Sequence, residues 1–360
     1  MRRMNNPIAD FAVIGSNSLA RLVAGLLAGT HKRRVLFIGA SQASYRLERS
    51  MDLSAAPITR PETWSLLSEG TAETLRLLAR IVGRGAFRRI DPILTASTPR
   101  AEEALSHIRH MAMEFGIATE PTAPARLPSN HVGVAFRDAV CLQSSWIEPG
   151  LDAWNDKVGV ERIAAESVFV DEDGSVRVIV RGEERMARQA VLADDQSIIA
   201  HLPPGQWPAL LQRRPAVALM TAPLRPLPTP VLLDIGLGLY VHQQTEGGIA
   251  LHGPGDFSKA RRQLEAILGG TLASRVGQSM FQQLATSDGA PTFGRVAKAG
   301  ADVIANTGSI GAFLAPALAR WLAGEAKTHE AEWFGRRLIT RDVSTNLVSE
   351  FASAPGISAS

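Results

Sequence analysis

Asp10-Phe-Ala-Val-Ile-Gly15-Ser-Asn-Ser-Leu-Ala20 and, one helical stretch later, Arg34-Val-Leu-Phe-Ile-Gly39 decide the fold. Each begins as a short apolar run that stops at a glycine, the pattern of a strand buried on both faces. Between them Leu19, Leu22, Val23, Leu26 and Leu27 recur at helical spacing, and Gly29 and Thr30 end the helix. Residues 10 to 39 therefore read as one β-α-β unit, whose crossover makes the two strands parallel neighbours. The turn of such a unit holds a dinucleotide when glycines let the backbone approach the pyrophosphate, and an acid after the second strand holds the ribose. Here the window runs Gly15, Ser16, Asn17, Ser18, Leu19, Ala20, and the position of the ribose acid is Gly39. The first glycine is kept, Asn17 replaces the second, and Ala20 is a tolerated third.

Working outward, Pro61 to Val82 and Glu102 to Phe115 carry helical spacing and read as an inserted region. Val168 to Val170, Val176 to Val180 and Ala190 to Ala193, separated by the turns Asp171 to Gly174 and Arg181-Gly182, read as a meander and a further strand. Residues 215 to 252 alternate in short strands, with Pro223, Pro226, Pro228 and Pro230 expected on sheet edges. A helix near Phe257 to Leu268, a strand Asp302 to Asn306 and a helix Ala312 to Gly324 close the plan. Both ends of the chain thus build one α/β domain, from residues 8–60, 150–205 and 290–335. Residues 61–149 and 206–289 form an α+β second domain with an antiparallel sheet, and 336–360 a tail.

Composition narrows the function classes. The chain has 360 residues, 45% of them hydrophobic, enough for one large core or two moderate ones. Lys plus Arg number 38 against 35 for Asp plus Glu, and pairs such as Arg2-Arg3, Arg213-Arg214 and Arg336-Arg337 are scattered, which speaks against nucleic acid. Cys141 is the only cysteine, so no intrachain disulfide or thiolate cage can form, and it reads as a small buried residue. No apolar run reaches the length of a membrane span, and the N-terminal apolar stretch is too short for a secretory signal, so a cytoplasmic protein is expected.

Later segments follow the same plan. Asp302-Val-Ile-Ala-Asn-Thr-Gly308-Ser309-Ile-Gly311-Ala-Phe-Leu-Ala-Pro316 is a strand, a loop with two glycines and an Ala-rich helix; Tyr240 to Gly253 carries Gly247-Gly248 at a hairpin turn; Glu148-Pro149-Gly150 precedes a helix, the meander and a Val-Leu-Ala strand. In this order the chain resembles the FAD-dependent D-amino-acid oxidase/glycine oxidase superfamily. The resemblance implies a Rossmann-like FAD/NAD(P)-binding domain in which Gly15, Ser16, Asn17, Ser18, Ala20, Gly39, Ala193, Gly308, Ser309 and Gly311 surround the flavin. It also implies an antiparallel sheet that shapes a pocket for a small amine or amino acid, oxidised at a CH–NH bond.

Binding the substrate carboxylate would fall to Tyr240, Arg225 and Arg295. The family's Ala-x-Gly after the middle strand is Ala193-Asp194-Asp195 here, which puts carboxylates where a phosphate is expected. With Asn17 and Gly39 this supports a second reading, a relative that has lost FAD and works as a non-catalytic subunit, scaffold or binding partner. A nicotinamide-dependent reductase is weaker, because the fingerprint is as poor for it. His242 and His252, ten residues apart on neighbouring strands, lack acids or cysteine at ligand spacing, and no metal is expected. If FAD is absent, Asp194 and Asp195 themselves can satisfy the positive end of the first helix.

Overall fold

The computed structural model describes residues 8–40, 47, 49–269, 274–297, 299–342 and 350–352. Tyr45, the Arg2-Arg3 pair and the tail beyond Ala352 lie outside them. The β-α-β unit forms as its apolar runs dictate: Ala9–Ile14 and Val35–Ile38 pair in parallel, Phe11 opposite Val35 through Ile14 opposite Ile38, joined by the helix Ser18–Gly29. Ala9–Ile14 pairs on its other side with Glu183–Leu192, also in parallel, and the far end of that strand pairs with Asp302–Ala305. Ser167–Val170 and Val176–Val180 extend the sheet as the expected meander, and Glu161–Arg162 and Thr292–Arg295 complete eight strands.

A second sheet of eight strands runs in the order Arg275–Thr286, Leu211–Thr221, Ile249–Pro254, Leu239–Gln243, Val231–Asp234, Ile93–Ala96, Val132–Phe136, Thr119–Pro121. It is antiparallel except where Val231–Asp234 meets Ile93–Ala96 in parallel. A small sheet of Asp52–Leu53, Ala139–Leu142 and Phe87–Ile90 lies beside it in sequence and joins the inserted region to the first domain. One hydrophobic core runs from the parallel strands through the helices Pro61–Ile81 and Gly311–Ala323 to Leu94, Val134 and Leu233 of the second sheet. A separate apolar cluster fills the opposite face of that sheet, under the helix Phe257–Ile267.

Several expectations are corrected. Glu148-Pro149-Gly150 does not precede a helix but lies inside the helix Ser144–Lys157, with Pro149 in its second turn, where the missing N–H forgoes one bond of the helix. Pro223, Pro226, Pro228 and Pro230 sit in the connection between two strands rather than on a strand edge. Cys141 is half-buried, not buried. The stretch after 335 is also no loose tail up to residue 342: Arg337, with a side chain 5% exposed, bonds Glu350 at 2.8 Å, and Phe351 pairs with Ile58.

Gly70 lies in the middle of the helix Pro61–Ile81, where an alanine would ordinarily gain about 1 kcal/mol of helix stability. A Cβ at this position would stand 2.1 Å from the carbonyl oxygen of Phe313, in the helix Gly311–Ala323. Backbone cannot yield as a side-chain tip can, so overpacking outweighs propensity. Gly70→Ala is expected to destabilise the protein by about 1–3 kcal/mol, measured by denaturant unfolding. An unchanged or raised midpoint would mean that the two helices are not packed this closely.

Candidate functional site

The ends of the parallel strands gather the residues singled out in the sequence. Asn17 caps the helix Ser18–Gly29: its Oδ1 accepts the Ala20 N–H at 2.8 Å, and its Nδ2 donates to the Ala193 carbonyl at 3.3 Å. Asn thereby uses the place of an approach glycine for a cap, as its short amide is suited to do. Asp194 stands opposite. One carboxylate oxygen accepts the Ser16 N–H at 2.6 Å, and the other accepts Ser197 N–H at 2.7 Å, capping the helix Asp195–His201. A Cβ on Gly15 would be 3.3 Å from that carboxylate, so the acid lies against the glycine face of the turn. The partial positive charge at the helix start is thus met by a side chain of the protein. Asp195 does otherwise than expected: it reaches the second sheet, where its Oδ2 accepts the Leu284 N–H at 3.0 Å.

At the end of the second strand the backbone turns inward. A Cβ on Gly39 would lie 2.2 Å from the Gly15 carbonyl oxygen and 2.7 Å from the Phe37 ring. Ala40 N–H donates to Ser16 Oγ at 2.9 Å. Arg21, only 2% exposed, closes this end. Its guanidinium donates to the carbonyls of Ser16 at 2.5 Å and Ala40 at 3.1 Å, pairs with Glu148 and Asp152 at 3.1 Å each, and lies over the Phe37 ring. A buried cation is tolerated only when its donors are met this fully. Sequence reading missed this network. Its signal was a lone arginine in an otherwise apolar run of helix, since a charge there must find partners.

The third part is the loop Gly308–Ile310 before the helix Gly311–Ala323. Gly308 has φ +55°, Ser309 is buried with its hydroxyl on the Ala55 carbonyl at 3.3 Å, and Gly311 packs near Thr307 and Leu19. Across from the loop, Tyr240 of the second sheet stacks on His252 with ring centroids 4.8 Å apart. Burial raises the Tyr240 pKa, and burial followed by the neighbouring His242 pushes His252 down to about 3, so its ring is neutral at ordinary pH. His242 bonds Gln244 at 2.8 Å. Among the described residues no cluster of three or more His, Cys, Asp and Glu is placed to hold a metal.

The proposed carboxylate clamp is not assembled. Arg295 bonds the Gln189 side chain and stands opposite Asp302 in the first sheet, while Arg225 is exposed, with its carbonyl accepting from Gln243 at 3.4 Å. Only Tyr240 of the three reaches the interior. A cavity of about 400 Å³ lies elsewhere, lined by Arg89, Asp91, Arg126, Arg137 and Thr229, and shares no residue with this region. Its Arg137 is already paired with Asp91 and Glu120.

No family model matches the chain, and no curated protein matches it in sequence. Solved structures do match it along nearly its whole length. L-proline dehydrogenase from P. horikoshii superposes with a TM-score of 0.70 at 13% identity, covering 91% of this chain and 96% of its own. Glycine oxidase from Geobacillus kaustophilus gives 0.69 at 16% identity, covering 94% and 100%. The chain has the D-amino-acid oxidase/glycine oxidase fold. L-amino acid deaminase from Proteus vulgaris shares it too, at 0.68 and 16% identity, covering 95% and 96%.

In the oxidase fold FAD would lay its pyrophosphate on the first turn, its ribose beside the end of the second strand and its ring between the return loop and the second sheet. The residues present do not fit it. Asp194 holds the Ser16 N–H with a like charge, Gly39 has no room for a side chain, and Ala40 and Arg21 close over the turn.

Asp195 gives this region a pH signature. Burial, with a smaller push from Asp194, raises its carboxyl from 3.8 to about 7, against the pull of the Leu284 N–H. The folded state then holds a proton that the unfolded chain has released, so this contribution is complete below about pH 4 and is lost as pH rises through about 7. Asp195→Asn keeps an acceptor and removes the titration. Its melting temperature is expected to exceed that of the wild type by about 2–4 °C in mildly alkaline buffer and to converge with it in acid. Parallel curves at all pH values would sink the assignment.

Proposed function

We propose that this chain is a cofactor-less relative of the amino-acid oxidases that works as a non-catalytic subunit, scaffold or binding partner. The observation that carries the reading is the Asp194 carboxylate on the Ser16 N–H at 2.6 Å, in the seat of a pyrophosphate. An incoming phosphate would have to displace a tethered anion that already satisfies two N–H groups, and would meet repulsion if it did not. The closure at Gly39 supports the same reading independently.

A second reading, an FAD-dependent oxidoreductase acting on a CH–NH bond of a small amine or amino acid, draws on the likeness to an L-proline dehydrogenase, glycine oxidases and L-amino acid deaminases. It requires the chain to reopen in two places on binding, at Asp194 and at the Gly39 end. No helix among the described residues is long and apolar enough to cross a membrane, and neither reading asks for one.

The two separate in a cuvette. The purified protein is expected to be colourless, to leave FAD fluorescence unchanged on titration, and to consume no oxygen with glycine, proline or other amino acids. Asp194→Ala alone is expected to leave the titration flat, because the ribose end remains closed at Gly39. A flavin absorption band in the wild type, or saturable quenching of FAD by it, would overturn the proposal in favour of the oxidoreductase.

A further inference from the structure

The strand Arg275–Thr286 ends the second sheet, and among the described residues no strand pairs with its outer edge. Leu284 directs its N–H outward, to Asp195. In an antiparallel strand the N–H and C=O of alternate residues point the same way, so those of Gln282, Met280 and Gln278 also point outward. Chains of this kind are normally blunted by charge, proline or a bulge. Here the ten residues Val276 to Ala285 contain no charge and no proline. The one register shift falls at the strand's beginning, opposite Met220 and Thr221, and the Asp195 cap falls near its end. Val276 is the residue that this shift leaves unpaired, and among the described residues the six from 277 to 282 remain as open edge.

Side chains add to this. Val276 is 64% exposed and Met280 53%, and Gln278 and Gln282 are exposed beside them. Met280 and Gln278 stand opposite Val217 and Leu219, which belong to the apolar cluster under the helix Phe257–Ile267, so the exposed pair prolongs an apolar face.

We propose that this edge is a dimer interface, in which the strand pairs antiparallel with the same strand of a second copy about a two-fold axis at Ser279. That register sets Gln278 opposite Met280 of the other copy. It satisfies the outward groups of both residues, brings no like charges together and stops short of both the bulge at Val276 and Asp195. A strand from an unrelated protein could offer the hydrogen bonds, but a two-fold axis at Ser279 lets this uncharged strand face itself with an amide opposite an apolar side chain at each of these positions, the use of one patch by both copies that a C2 interface requires. The joined sheet would have sixteen strands. The inference is independent of whether FAD binds, so it stands or falls apart from the proposed function.

Sedimentation equilibrium of the full chain across the micromolar range tests it. The wild type is expected to be dimeric, and Met280→Lys to weaken the dimer by about tenfold or more with an unchanged melting curve. Met280→Pro removes an outward N–H that Leu211–Thr221 does not use, and is expected to give a monomer. Adding Gln278→Glu to Met280→Lys places opposite charges across the proposed register and is expected to restore association. A monomeric wild type, a dimer indifferent to Met280→Lys and Met280→Pro, or a double variant no better than Met280→Lys alone would each overturn the proposal. If Met280→Pro fails to fold, the pair of charge variants still decides.

Discussion

The start of an α-helix leaves N–H groups without partners and a partial positive charge, and something must meet both. In a dinucleotide fold the usual partner is a phosphate that arrives from solution. Here it is Asp194, carried on the strand next to the turn and held by its own capping bonds. A tethered carboxylate has no translational freedom to lose on binding, so it competes at a high effective concentration with any free anion. It also makes the first helix, the turn and the end of Glu183–Leu192 a closed unit whose stability needs no ligand. Proteins that hold a cofactor draw part of their stability from it. On the cofactor-less reading proposed above, covalently attached groups take over that part in this chain.

Arg21 follows from the same closure. Once the chain after Val35–Ile38 folds inward at Gly39, the carbonyls of Ser16 and Ala40 lie close together at the helix start, and a cation between them can satisfy both. Burying that cation demands anions, which Glu148 and Asp152 supply from the helix Ser144–Lys157. Apolar groups of the same shape could be as stable. The ionic version adds direction: the helix can dock in one orientation only, the one that brings both carboxylates to a guanidinium seen through the Ser18–Gly29 turn. The two ends of the cleft are thus held by opposite charges, Asp194 at one and Arg21 at the other.

The parallel core was legible because strands buried on both faces, such as Phe11 to Ile14 and Val35 to Ile38, must be continuously apolar, and here a helix of apolar spacing joins the two runs. Ile93–Ala96 and Val132–Phe136 escaped notice because runs of four or five apolar residues fit a helix turn or a loop as well, and only their pairing with Val231–Asp234 and each other makes them strands. Arg275–Thr286 was hidden for the opposite reason: its edge position lets glutamine alternate with apolar residues on both faces. At the site, positions along the backbone were readable, so Asn17, Gly39 and Asp194 do come together. Side-chain direction was not. Arg295 turns to Gln189 and Arg225 stays in the exposed connection, since a long flexible side chain follows whichever neighbour the tertiary fold supplies.

A glycine fingerprint contains two kinds of constraint, and this chain separates them. Gly15 and Ala20 serve packing: a Cβ on Gly15 would come within 3.1 Å of the Ala20 Cβ, so neither position can grow whether or not a nucleotide is present. The second glycine serves only the approach of a ligand. On the cofactor-less reading proposed above, that position can hold any residue that suits a helix start, and Asn17 is one that caps it. The ribose position carries the same lesson, since an acid without a ribose is a buried charge without a partner, whereas Gly39 lets the backbone close onto Gly15. The surviving residues of the motif are those the fold needs for itself, and so their survival speaks for the fold, while the cofactor must be argued from the positions that only the cofactor would have kept.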